Sequence, residues 1–361
     1  MNNSFYSVEI DSVAKEQWHN IIIDFRDCTI NQTWDFGAAL AGERNLSHIV
    51  VRRQEKVCAA VQVRTRLVPV LGGGLAYVIG GPLWRKEGND SELCDLGVAL
   101  RFLREEYIIK RKMMLFIRPN IYTNDPKVED LRALFRENGY RHQNSAQKTM
   151  IINLDAPIAT LRKGLDQKWR NCLNKSERQG LELLEGDDES LFRSFKTLYL
   201  EMISRKKYEN PVDIDRFGRA YLAITSRLRP RIVLCKFQGS TVAGGIFNVT
   251  GDTGTYLLGA TNDLALKSCA SYLLQWRIIT WLKENGHLTY DLGGTDKLKA
   301  PGPYTFKVGL TGRNGMEVHR IGEYTSLGKS VGSFLVSMLL KAREMQSKIV
   351  SHSKYKREHK A

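Results

Sequence analysis

Between Gly254 and Gly294 the chain reads GTYLLGATNDLALKSCASYLLQWRIITWLKENGHLTYDLGG. Residues 254–260 are apolar, aromatic or small, the pattern of a buried strand. From Cys269 to Asn285 apolar side chains recur every three or four residues, which predicts a helix, and Asn285-Gly286 supplies its stop. A short strand over 288–294 follows. A strand, a helix and a second strand in close succession place the chain in the α/β class.

Upstream, strands are expected at 231–238 and 241–249 around the turn Gln238-Gly239-Ser240, after helices at 157–178, 188–207 and 213–228. The first half has the same order. Helices over Val13–Asp27 and Trp34–Ala41 precede strands at 48–53, 57–70 and 75–81, with Leu71-Gly-Gly-Gly74 as a tight turn. A helix from Ser91 to Lys112, with Ser91 as its cap, leads into a strand at 113–119; a helix at 126–138 stops at Asn138-Gly139 before a strand at 148–154. Two copies of one α/β unit are therefore expected, divided near Asp155-Ala156-Pro157 into domains at 1–155 and 156–324. In the second copy the fourth helix gives way to a loop, Thr295–Pro303, and to PGPYTFKVGLTG (301–312), which reads as a loop entering a strand. Another strand is expected at 315–321, and a closing helix from about Thr325 to Val350 within a C-terminal segment, 325–361.

The composition is that of a folded protein, 42% hydrophobic and 26% charged over 361 residues. Six scattered cysteines have no zinc or redox spacing, which fits reduced thiols in a cytosol. Neither a leader pattern nor a membrane-spanning run is visible, so a cytoplasmic protein without a transmembrane segment is expected. The net charge of +15 calls for an anionic partner without choosing among nucleic acid, a phosphorylated small molecule and an acidic membrane. Part of it sits after Leu340, where five Lys and two Arg face Glu344 and Glu358. No Gly-x-Ser-x-Gly elbow, His-Glu-x-x-His pair or Walker loop occurs, which removes support for hydrolase, zinc and nucleotidase chemistry. No metal site is expected.

Several segments resemble the FemABX family, which transfers amino acids from aminoacyl-tRNA onto peptidoglycan precursors. Trp169-Arg170 in LDQKWRNCLNKSERQGLEL, EMISRKKY (201–208), the 256–294 stretch and Phe306-Lys307 in YTFKVGLTG occur in the family's order. The resemblance implies two tandem GNAT-like domains, each a mixed, largely antiparallel sheet flanked by helices. It also implies a transferase that forms an amide on a cell-wall or surface-polysaccharide precursor, with either aminoacyl-tRNA or acyl-CoA as donor and no tightly bound cofactor. The family's coiled-coil arm is absent, no lysine follows Trp34 at the family's place, and Trp84-Arg85-Lys86 replace an acidic residue after Gly81-Pro82.

Acyl transfer to an amine needs a held donor and positive charge or N–H groups where the oxyanion develops. Lys307 is the residue matched to that task, with Phe306 as a wall; the plain alternative is an exposed lysine on an edge strand. Asp291 is expected at the cleft mouth, taking a proton or orienting the amine, or else capping the Gly293-Gly294 turn. For the substrate, Arg205 and Tyr208 offer an anion clamp, Arg170 reaches an anion, Trp169 serves as wall or core, and Tyr256, Tyr304 and Lys267 complete the set. LALKSCAS (264–271) has no glycine, so a close backbone cradle for a pyrophosphate is not expected there. A non-catalytic basic module for nucleic acid or anionic lipid remains the distant alternative, with contact at the inner membrane surface as one use of the apolar stretch Val331–Leu340.

Overall fold

A computed structural model describes residues 5–68, 73–86, 93–143, 147–206, 212–225 and 228–328. Strand β1 (Tyr6–Ile10), which the sequence reading lacks, opens the chain, followed by α1 (Lys15–Ile22) and α2 (Trp34–Ala41). The expected meander is present as β2 (Leu46–Arg53), β3 (Lys56–Val68) and β4 (Gly73–Ile79). Helix α3 (Leu93–Leu103) ends in a π-helical stretch, Arg104–Lys110, before β5 (Met113–Arg118), α4 (Val128–Glu137) and the short β6 (Arg141–Gln143). Then come β7 (Lys148–Asn153), α5 (Ile158–Gly164), α6 (Gln167–Ser176), β8 (Glu182–Gly186), α7 (Glu189–Lys206) and α8 (Ile214–Ala223).

The second meander is β9 (Arg231–Phe237), β10 (Ser240–Thr250) and β11 (Thr253–Thr261). It leads through α9 (Asp263–Ser268) and α10 (Ala270–Glu284) to β12 (Thr289–Gly294). Leu274, Ile278 and Leu282, four residues apart, form the buried face of α10, and Gly286 at φ 78° ends it. Side chains cap the neighbouring helices: Asp166 accepts from the amides of Lys168 and Trp169, and Asn262 from those of Leu264 and Ala265.

Two seven-stranded mixed sheets result, ordered β1-β2-β3-β4-β5-β14-β6 and β13-β7-β12-β11-β10-β9-β8. Here β13 is Gly315–His319 and β14 is Glu323–Ser326. The halves exchange strands. β7, read from sequence as the end of the first unit, lies between β12 and β13 of the second sheet, while β14 enters the first sheet between β5 and β6. Each sheet thus depends on hydrogen bonds from the other half of the chain. Because β14 includes Thr325 and Ser326, the closing helix does not begin at Thr325; the rest of that expected helix lies outside the described residues.

One expectation fails at a decisive place. Residues 301–311 form helix α11, not a strand. Pro301 and Pro303 occupy its first turn, where no backbone N–H is needed, and Thr305 and Thr311 donate to the carbonyls of Pro301 and Lys307 four residues back. Phe306 and Leu310 share the inward face, and Gly309 lets α6 approach, since a Cβ there would stand 3.1 Å from the Trp169 ring. Gly312 ends the helix at φ 48°, where any Cβ would strike the carbonyl of Gly164.

Candidate active site

β11 and β12 run parallel and in register only at Thr253–Thr289, Gly254–Tyr290 and Thr255–Asp291. Beyond Thr255 they diverge. A bulge against β10 leaves Leu257 unpaired there, which bends β11 further. A cleft of about 660 Å³ opens between 256–261 on one side and 292–294 on the other, with the start of α10 and the inner face of α11 closing it. The edge of β11 that faces the cleft no longer pairs with β12, so its main-chain N–H and C=O groups are available to a ligand.

Lys307 lines this cleft. Its position on a helix, rather than on an edge strand, aims Nζ at the end of β12, where it donates to the carbonyls of Gly294 (2.8 Å) and Gly293 (3.3 Å). Desolvation holds its pKa below the ordinary lysine value, and the nearby Asp291 carboxylate partly opposes the shift. Phe306, one residue earlier, forms the wall, edge to face with Tyr272 at 5.0 Å and 5.7 Å from Trp169. Trp169 is 3% exposed and belongs to the core, as one of its two readings has it.

Asp291 is not at the mouth of the cleft. It is fully buried at the junction of the two halves, with Oδ1 accepting from the Thr149 hydroxyl and the Gly293 N–H (2.8 Å). Its Oδ2 accepts from Tyr122 (2.6 Å) and Arg320 (3.1 Å). Four donors saturate the carboxylate, so it is poorly placed to accept a proton from a substrate amine. The turn-capping alternative describes it better.

The expected anion clamps are engaged within the protein. Arg205 donates to the carbonyl of Thr261 (2.7 Å) and pairs with Asp263, at the cleft rim. Arg170 binds the carbonyls of Lys163 (2.9 Å) and Leu165 (3.3 Å). Tyr256 does line the cleft, and burial raises its phenol pKa. Tyr304 is half-buried on α11, its phenol raised by desolvation and by Glu317; Lys267 is exposed on α9, and neither lines the cleft. Tyr208 lies outside the described residues.

Other lining groups carry no sequence signal. Cys172, Lys206, Ser271 and Gln275 reach the cleft from α6, α7 and α10, Cys269 from the junction of α9 and α10, and only the fold collects them. The Cys269 thiol is pushed up by burial, away from a reactive thiolate. The segment before α10 is itself helical, and Asn262 occupies the amides of Leu264 and Ala265; the first turn of α10 has no side-chain cap, and its Ser271 and Tyr272 line the cleft. Among the described residues, no group of three or more His, Cys, Asp or Glu is placed to hold a metal ion. No helix among them is long and apolar enough to cross a membrane.

Residues 161–308 match the sequence model of a family described as an acetyltransferase (GNAT) domain. The crystal structure of FemX superposes with a TM-score of 0.75 at 15% identity, over 91% of this chain and 99% of that one. A conserved protein of unknown function from Bacteroides thetaiotaomicron superposes with a TM-score of 0.58 at 12% identity, over 89% of this chain and 100% of its own. No curated protein matches the chain in sequence. The chain shares the fold of FemX, its two sheets are consistent with two tandem GNAT-like domains, and residues 161–308 in its second half match the GNAT acetyltransferase domain model.

Proposed function

We propose that this protein is a FemABX-like N-acyltransferase that moves an aminoacyl or acyl group onto an amino group of a cell-wall or surface-polysaccharide precursor. The observation that carries the reading is the cleft between the diverging β11 and β12, with Lys307 held at its floor by the carbonyls of Gly293 and Gly294.

In this reading the donor's acyl group lies along the open edge of β11. A neutral amine attacks the acyl carbonyl, and the carbonyl oxygen gains negative charge as the carbon becomes tetrahedral. The Lys307 ammonium and main-chain N–H groups of β11 stabilise that charge. Collapse of the intermediate forms the amide and expels the carrier's oxygen or sulfur, which takes up the proton the amine loses. Attack is direct, because the buried Cys269 is not an activated nucleophile and Asp291 is saturated.

Aminoacyl-tRNA is favoured as donor over acyl-CoA by residues 264–271, which have no glycine to let the backbone approach a pyrophosphate closely; the uncapped first turn of α10 at the cleft is the feature that acyl-CoA would use. The GNAT match over 161–308 keeps acyl-CoA as the second reading. A cytoplasmic reaction follows from either donor. Isothermal titration and single-turnover transfer with charged tRNA and with acetyl-CoA test the choice. Transfer from charged tRNA with no coenzyme A binding is expected; tight coenzyme A binding sinks the tRNA version, and no transfer from either donor to any amine sinks the function.

A further inference from the structure

Two thiols meet in the wall of the cleft, and the proposed reaction uses neither. Trp169 and Cys172 stand one turn apart on α6, and Cys269 and Tyr272 one turn apart where α10 begins. The Trp169 and Tyr272 rings pack at 4.9 Å, which brings the other member of each pair together. Both cysteines line the cleft, both are free, and the Cys172 thiol interacts with the Cys269 thiol and with the Tyr272 hydroxyl. They are distant in sequence, so no short redox spacing announces them.

Their surroundings give them different parts. Cys172 is half-buried and open to small molecules from the cleft; Cys269 is 7% exposed. Burial raises the Cys269 thiol pKa, Cys172 adds to the rise, and the Lys175 ammonium on α6 opposes it. Cys269 also holds a left-handed backbone, φ 58°, between α9 and α10. For a residue with a Cβ that conformation costs roughly 1–2 kcal/mol that glycine would avoid, so a thiol is kept there against the backbone's preference.

We propose that Cys172 and Cys269 are a redox modification site of the cleft: a peroxide joins them in a disulfide, a small thiol reopens it, and the bridged cleft no longer holds the acyl donor. The Cys172 sulfur attacks the peroxide O–O bond and becomes a sulfenic acid, while the hydroxide that leaves takes up the Cys172 proton. The Cys269 sulfur then displaces the sulfenic hydroxyl, which departs with the Cys269 proton as a second water. Two thiols are oxidised to one disulfide, and one peroxide is reduced to two waters. Closing an S–S bond of about 2.0 Å draws α6 and the α9–α10 junction together and shifts Ser271 and Tyr272, whose ring braces Phe306 beside Lys307. The effect on transfer rests on the acyl-transfer reading of the cleft; the bond itself does not.

Peptide mapping of the full chain under non-reducing conditions, after near-stoichiometric hydrogen peroxide, tests the bond without turnover. A cross-linked peptide pair containing both residues is expected, and dithiothreitol should remove it. It should be absent in Cys172→Ser and in Cys269→Gly, the second of which suits the left-handed backbone. Transfer by the bridged protein should fall about tenfold or more and return with dithiothreitol, while each variant keeps the rate of its own untreated sample. Oxidation that stops at sulfenic or sulfinic acid on Cys172, a bridge through the exposed Cys94 instead, or a bridged protein that transfers at the untreated rate overturns the proposal. A bridge formed in a chain that transfers nothing, oxidised or reduced, supports the dithiol site and removes the transferase reading.

Discussion

Lys307 and Asp291 hold the Gly293-Gly294 turn from opposite sides: the ammonium donates to both glycine carbonyls, and the carboxylate accepts the Gly293 N–H at 2.8 Å. Gly293 adopts φ 73°, and a Cβ there would stand 2.8 Å from the Tyr256 carbonyl, so the turn needs glycine. One side of the turn faces the cleft and the other the junction between halves. The two charged residues therefore have separable roles.

Lys307→Ala removes the charge at the cleft floor and leaves the fold intact. A fall in kcat of about 10²–10³ is expected, with a small change in melting temperature. Lys307→Arg keeps the charge and should recover part of the loss. Steady-state kinetics beside thermal melts decide it, and turnover near wild type in a folded Lys307→Ala protein removes Lys307 from the mechanism.

The pH dependence carries its own sign. Lys307 acts in its protonated form, and desolvation lowers its pKa below 10.5. Activity should therefore decline on the alkaline side at a pH below the ordinary lysine range, as the ammonium is lost. In Lys307→Arg that alkaline limb should move to higher pH, because a guanidinium stays charged. A limb unmoved by the substitution assigns the titration elsewhere.

Asp291 is predicted to act on stability. Asp291→Ala strands the half-buried Arg320 and three further donors, and should cost on the order of 3 kcal/mol of unfolding free energy. The readout is the denaturation midpoint together with turnover per folded molecule. A catalytic base would show the reverse, an intact midpoint with turnover abolished.

How much of this is legible in the chain depends on whether a signal is local. The repeated meander and α10 are legible, because alternation and helical spacing are properties of neighbouring residues. Helix α11 is not: Tyr304, Thr305, Phe306 and Val308 are good strand formers, and what overrides them is the packing of Phe306 on Trp169 and Tyr272. For β7 and β14 the pattern gives a strand but not its sheet. Lys307 and Phe306 are found in the cleft because a short motif carries them. Asp291 is misplaced because its donors, Tyr122, Thr149 and Arg320, come from three distant segments, and Arg205 meets Asp263 only after folding.

Asp27 gives the first half a pH response of its own. Its carboxylate lies under Trp84 and Arg85, accepting both amide N–H groups at 3.2 Å, and burial raises its pKa from 3.8 to about 7 despite those bonds and the Arg85 charge. A carboxyl whose pKa is higher in the folded than in the unfolded chain binds more protons when folded, so unfolding free energy falls as pH rises from about 4 to about 7. The loss should be on the order of 2–4 kcal/mol, since one pKa unit is about 1.4 kcal/mol. Asp27→Asn has no proton to lose. Urea midpoints for both proteins at either end of that window should show wild type losing stability relative to Asp27→Asn as the pH rises. Parallel pH profiles would mean that Asp27 stays ionised in the fold, held by the two amides and Arg85.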